Sequence, residues 1–312
     1  MPIISTKGAF SAQGFGFAGK VALAPGTIGI FSLGANCSCT TLATRDKYTF
    51  ATDVNGSAAS SSVASRRGSA AGNSTRGIFA LGFNNSGSLT TRNKYTYACD
   101  TSGLATAASA AAGFGSAAGN STRGIFAIGN NEITRNKYTY ANDTNAIATS
   151  SCVAACGGAA AGNSTRGIFA LGFTVAAGAA STTRNKYTYA CDTSGSATAS
   201  SPASRYGSAA GNSTSGIFAL GCTGSGVANT RNKYTYGTDA SAAATSASVA
   251  SNWQSATGNS TRGIFAIGQT SGVTATRNKY TYACDTNGAA ASASVASRQG
   301  TAASNGTCGV NV

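Results

Sequence analysis

Six of the eight acidic side chains in this chain occupy one repeated place. Asp53, Asp100, Asp143, Asp192, Asp239 and Asp285 each stand eight residues after the arginine of a Thr-Arg-Asn-Lys-Tyr-Thr-Tyr segment, the first copy reading Asp46 for Asn and Phe50 for the last Tyr, leaving Asp46 and Glu132 outside the pattern. Carboxylates in local pairs can work as general acid and base, and a ring of them can offer hard oxygen ligands to a cation. Here each Asp belongs to a different repeat, so the six read first as turn and hairpin stabilisers and only second as a ring around a cation. The chain contains no histidine, which removes imidazole both as a general base and as a metal ligand. The expectation is a non-enzymatic protein with no catalytic residues, no metal site and no cofactor.

The basic side chains repeat as well: Arg45, Arg92, Arg135, Arg184, Arg231 and Arg277 each precede a Lys by two residues. Such a set could form a basic ring for phosphate or an anionic sugar. Alternatively, each Arg could pair with an Asp or with backbone carbonyls across a repeat edge while the Lys stays solvated. The structural role is favoured for Arg, and the role of Lys is left open. A net charge of +14 suits anionic polymers, membranes and cell envelopes. No basic run exceeds Arg66-Arg67, which argues against nucleic acid as partner.

Recognition on a rigid repeat scaffold is expected where the repeats differ, in the connections. Polar candidates there are Asn84, Asn85, Asn130, Asn131 and Gln269. Tyr206 and Trp253 stand at variable positions where an exposed aromatic ring could stack on a sugar or fill a protein pocket. The five Gly-Asn-Ser-Thr segments, at Asn73, Asn120, Asn163, Asn212 and Asn259, match the glycosylation pattern but read as turns. Cys99, Cys191 and Cys284 share one repeat position, too far apart for a disulfide if the units stand side by side, and read as small buried hydrophobes.

The elements that must position these residues follow from a repeat of about 47 residues. Phe31, Phe79, Phe126, Phe169, Phe218 and Phe265 mark it. In one unit, Arg76 to Gly82 reads as a short buried inner strand, and Lys94 to Ala98 as a second strand with Tyr95 and Tyr97 on one face and Lys94, Thr96 and Ala98 on the other. Asp100 to Gly103 offers turn chemistry, Ala105 to Ala112 a weaker strand, and Gly115 to Thr122 a short strand and turn into the next unit. Four strands per unit predict an all-β chain and a β-propeller of four-stranded blades. The units run approximately 21–67, 68–114, 115–157, 158–206, 207–253 and 254–299, with 1–20 and 300–312 building a composite seventh, closing blade. Six blades with tails, and an open β-solenoid, are the alternatives.

The order small strand, Gly-Ile-Phe-Ala-Leu-Gly, Lys-Tyr-Thr-Tyr and Asp turn resembles kelch-type propeller blades over nearly the whole chain. It departs from kelch in its Gly-x-x-Gly spacing and in having one Trp instead of one per blade. The Ser-Thr-Arg-Gly-Ile-Phe segment is similar to repeats in structural proteins of tailed phages, cyanobacterial phages among them. That resemblance implies a virion component, a tail fibre, spike or other host-facing element, displayed in several copies and binding a host glycan or protein or neighbouring virion proteins. The amino-terminal residues lack a signal-peptide pattern and no apolar run is long enough to span a membrane. The expected location is therefore the virion after cytoplasmic synthesis, with the cytoplasm or cell surface as alternative. A cellular carbohydrate- or protein-binding propeller is the competing function.

Overall fold

A computed structural model describes residues 26–174 and 179–306. Within them the chain forms six four-stranded antiparallel sheets, supplemented by short hairpins in some connections. The second sheet is representative, with spatial order Ser69–Gly72, Arg76–Ala80, Arg92–Thr96 and Thr101–Ala105. Its first strand is small because it is crowded: Ala70 and Ala71 are fully buried, and the first strand of each sheet packs against the first strands of the sheets before and after. Large side chains there would separate the backbones. The fold is all-β and propeller-like.

The carboxy-terminal strand Thr301–Ser304 pairs with Ile28–Ser32 and becomes the innermost strand of the first sheet. The opening repeat lacks an inner strand among its described residues, and Thr301–Ser304 fills that edge. The expected contribution of residues 1–20, and that of residues 307–312, lies outside the described residues.

The local register also departs from expectation. Thr96 faces Thr101 and Tyr95 faces Ser102, so the turn is Tyr97 to Asp100 and the strand starts at Thr101, ahead of the expected Ala105. Asp100 can end the turn because it takes a left-handed conformation, φ 50°, which Asp tolerates better than most residues. Its carboxylate does not bond its own turn but reaches its own sheet's Tyr95 hydroxyl and the preceding sheet. The cysteines of these turns are not buried: Cys191 and Cys284 are exposed and Cys99 half-buried.

Each sheet is buried on both faces, and alternation along the strands decides what each face offers. Phe79, Tyr95 and Tyr97 of the second sheet pack with Ile30 and Ala303 of the first. Ile78 and Ala71 pack with Phe126, Tyr138 and Tyr140 of the third. The same division holds at every junction, and Ile264 of the sixth sheet completes the cycle against Phe31, Tyr48 and Phe50 of the first. At roughly 1.5–3 kcal/mol per fully buried large apolar side chain, these six apolar layers carry most of the stabilisation. No single sheet could bury its own Phe.

The polar groups between sheets reverse the expected pairing. Lys, not Arg, meets Asp: Lys47, Lys94, Lys137, Lys186 and Lys279 reach the Asp of the following sheet at 2.5 to 2.9 Å. The same Asp accepts from a Tyr hydroxyl of its own sheet and from a backbone N–H of the preceding one, as Asp100 does from Tyr95 at 2.5 Å and Ala59 at 2.9 Å. Arg instead lies fully buried over the Phe of the next sheet, with Arg45 4.3 Å from the Phe79 ring centre and Arg135 4.5 Å from that of Phe169. Its terminal nitrogens donate to neutral acceptors, in Arg92 to Asn145 and Asn136 at 2.8 and 3.0 Å. Cation–π contact and shape explain the swap. A planar guanidinium can stay buried on an aromatic face, whereas an ammonium keeps its hydration at the half-exposed rim.

One junction differs. Where the last sheet meets the first, Arg277 stacks on Phe31 at 4.3 Å and donates to Asp46 at 2.8 Å, both side chains fully buried. Asp46 stands where every other repeat has Asn and also accepts from Ser294 and Asn55. The charged pair strengthens the junction between sheets at opposite ends of the sequence. Asp46→Asn recreates the neutral arrangement of the other junctions, so the expected cost is modest, about 1–2 kcal/mol from trading a charge-assisted hydrogen bond for a neutral one. Urea unfolding of the two proteins measures it.

The Asp carboxyls also set the acid limit. Burial alone would raise Asp53, but the Lys279 ammonium, the Tyr48 hydroxyl and the Ala291 N–H outweigh it and hold its pKa at about 2, below the ordinary 3.8. Asp100, Asp143, Asp192, Asp239 and Asp285 are lowered in the same direction against the same burial term. A carboxyl depressed in the folded state adds stability that is complete above its unfolded pKa and is lost as pH falls through its folded pKa. Circular dichroism is expected to stay native down to about pH 4 and to show unfolding between about pH 4 and 2. Lys279→Met should move the onset upward.

Candidate functional site

The connections that follow each Gly-Ile-Phe strand and those that lead into each inner strand lie at one end of the sheets. Just before each inner strand, one residue per repeat lines the central axis there: Arg67, Phe114, Gly157, Tyr206, Trp253 and Gln299. Their backbones form a closed cycle, each N–H donating to the carbonyl of the preceding member at 2.7 to 2.9 Å, with Arg67 completing it on Gln299. The cycle holds all six in the left-handed region, φ 55° to 63°. Only Gly157 accepts that conformation freely. For bulky Phe114, Tyr206 and Trp253 it costs about 1 kcal/mol or more each, a strain that the cycle of hydrogen bonds maintains.

The side chains gather over the axis. Tyr206 and Trp253 stack with ring centres 3.8 Å apart, and Phe114 lies 5.9 and 5.7 Å from them. The Arg67 guanidinium sits 4.4 Å over Phe114 and 5.5 Å from Trp253, and its Nε donates to Gln299 Oε1 at 3.2 Å. Together they line a shallow hollow open to solvent. The backbone can come close because a glycine follows five of the six cycle residues: a Cβ on Gly207 would stand 1.9 Å from the Ala219 carbonyl oxygen.

Charge collects at the same end. Arg66, Arg205 and Arg298 stand next to the cycle residues, and among the described residues none of them, nor Arg67, makes an ion pair with a carboxylate. Burial, and then the neighbouring Arg66 guanidinium, lower the Arg67 pKa. Burial raises that of the Tyr206 hydroxyl. The site offers an aromatic floor, a guanidinium, an amide and no acid, which suits binding of a flat-faced, anionic or hydroxyl-rich ligand.

Of the residues expected from sequence, the structure brings Tyr206 and Trp253 together in this hollow. The others lie on the surrounding connections. Asn84 accepts from Ser86 N–H at 2.8 Å within its own turn, and Asn85 is exposed beside it. Asn130 and Asn131 take left-handed conformations, and Asn130 donates to the Ala111 carbonyl at 3.0 Å. Gln269 accepts from Arg298 Nη1. Arg67, Phe114 and Gln299 were missed, although a signal existed: the residue before Gly-Ser-Ala-Ala-Gly and its variants differs in every repeat while its neighbours recur. The Asp residues stand apart, each at its own junction, and no group of three potential metal ligands occurs among the described residues.

No protein-family model matches the chain and no curated protein is similar to it in sequence. Among solved structures the fold is similar to that in "Structure of YjhT", with TM-score 0.53 and 11% identity over 66% of this chain and 73% of that one. At that identity the likeness speaks to fold alone.

Trp253 is the single tryptophan, so its fluorescence reports on the hollow. Tyr206→Ala removes the stacked ring, and the emission maximum is expected to move to longer wavelength while the far-ultraviolet circular dichroism stays unchanged. An unmoved emission spectrum would mean that the two rings are not stacked in solution.

Proposed function

We propose that the chain is a non-enzymatic six-bladed β-propeller, closed by its carboxy-terminal strand, that serves as an adhesion module and binds an acidic cell-surface glycan in the axial hollow. The observation that carries this reading is the joining of three aromatic rings and Arg67 over the axis, at positions where the backbone conformation disfavours bulky side chains. An aromatic face takes the C–H face of a sugar ring, Arg67 takes a carboxylate or sulfate, and Gln299 takes hydroxyls. The rigid cycle beneath them limits the entropy lost on binding. A place on a virion follows the expectation drawn from the Ser-Thr-Arg-Gly-Ile-Phe repeats, and several copies displayed there would raise avidity without new contacts.

Glycan-array binding by the soluble protein tests the site. Trp253→Ala and Arg67→Gln are each expected to weaken binding by about tenfold or more, equivalent to about 1.4 kcal/mol, with folding intact by circular dichroism. Binding that survives both changes would move recognition to the connections around Asn84, Asn130 and Gln269. Detection of the chain in purified particles tests the virion assignment, and its absence there favours a cellular glycan-binding propeller.

A further inference from the structure

The axial hollow is shallow and open to solvent, so it does not enclose a terminal sugar as a deep pocket would. What it offers is a surface that runs from one side of the axis to the other. In the backbone cycle Arg67 and Tyr206 stand three members apart, which places them on opposite sides. Arg205 immediately precedes Tyr206 and brings a second guanidinium to the far side. An unbroken series of contacts joins the two charges. The Arg67 guanidinium lies 5.5 Å from the Trp253 ring centre, Trp253 and Tyr206 stack at 3.8 Å, and the Arg205 guanidinium lies 5.2 Å from the Tyr206 ring centre.

Both ends of the series are held in place. Arg67 lies 4.4 Å over Phe114 and donates to Gln299, and Arg205 also lies 5.6 Å from the Phe173 ring centre. The Tyr206 ring can take its position because Gly157 has no side chain: a Cβ there would stand 2.6 Å from the ring. The repeat itself does not require a cation at 205, since the equivalent positions hold Gly113, Cys156 and Asn252 in other units. Neither guanidinium makes an ion pair with a carboxylate among the described residues, and no carboxylate lines the hollow. Two like charges at half-buried positions on opposite sides of one aromatic surface are both satisfied by a ligand that carries a negative group at each end of its bound stretch.

We propose that the hollow binds an internal stretch of an acidic polysaccharide lying across the axis. One anionic group meets Arg67, sugar units lie against the Trp253 and Tyr206 rings, and a second anionic group meets Arg205. This rests on the glycan reading of the hollow and adds the class of glycan: a chain with acidic groups on separate sugars, in place of a single acidic terminus.

Heparin-derived disaccharide and hexasaccharide, titrated against the full chain and followed by Trp253 fluorescence, test the proposal. The hexasaccharide is expected to bind about tenfold or more tighter than the disaccharide, and Arg205→Gln to bring it down to the affinity of the disaccharide. Arg123→Gln removes the same charge at the other end of the sheets and should leave the advantage of the longer chain intact. Equal affinity for the two lengths, an advantage that survives Arg205→Gln, or one lost equally in Arg123→Gln overturns the proposal. In those three cases the glycan reading still stands if Trp253→Ala and Arg67→Gln weaken binding of the disaccharide. Binding of neither length overturns the proposal as well, and an empty glycan array then sinks the glycan reading with it.

Discussion

The stacking of a buried guanidinium from one sheet on the phenylalanine of the next is the interaction on which the rest of the structure depends. A sheet presents its Arg forward and its Phe backward, so no sheet can satisfy both by itself. Arg45 needs Phe79, Arg92 needs Phe126, and the series returns on itself when Arg277 reaches Phe31. The half-exposed Lys–Asp pairs contribute less, since ion pairs at such exposure are commonly worth no more than about 1 kcal/mol. Their effect is directional, because they fix which face of each sheet meets which neighbour.

Closure transmits this repeated geometry to the axis. The repeated junctions bring six equivalent backbone segments together, and their N–H and carbonyl groups join in the cycle running from Arg67 to Gln299. Because main-chain atoms make the cycle, the side chains above it can vary. Five of the six positions carry bulky or charged residues despite left-handed backbones. Conserved packing below and free choice of side chain above are the conditions under which a repeat scaffold acquires a binding site. The same freedom explains why charge is unevenly distributed at this end, with Arg66, Arg67, Arg205 and Arg298 unopposed.

Much of this was legible in the sequence, and the failures are instructive. Period-two alternation put Tyr95 and Tyr97 on one face and Lys94 on the other, as found, because strand geometry is local. The turn was misplaced by several residues, because Asp100 was read as bonding its own backbone when its carboxylate serves the preceding sheet. Arg was expected to meet an Asp or backbone carbonyls and the role of Lys was left open: charge alone pairs Arg92 with an Asp, whereas burial on Phe126 selects the planar guanidinium for the interior and leaves the Asp to Lys. Tyr206 and Trp253 stood out as aromatic departures from the repeat, while Arg67 and Gln299 did not, being polar residues in a polar chain.

The sequence by itself determined the strands, their number per repeat, the face each side chain takes and the lack of imidazole chemistry. These follow from periodicity and composition, which act within a few residues. Only the tertiary structure decided that Thr301–Ser304 completes the first sheet, that Asp46 is the acid paired with a buried Arg, and that residues up to 232 positions apart meet over one axis. Each of those outcomes depends on how a sheet rotates against its neighbour and whether the accumulated rotation returns to its start. That angle is set by the packing of two faces, which no single repeat encodes.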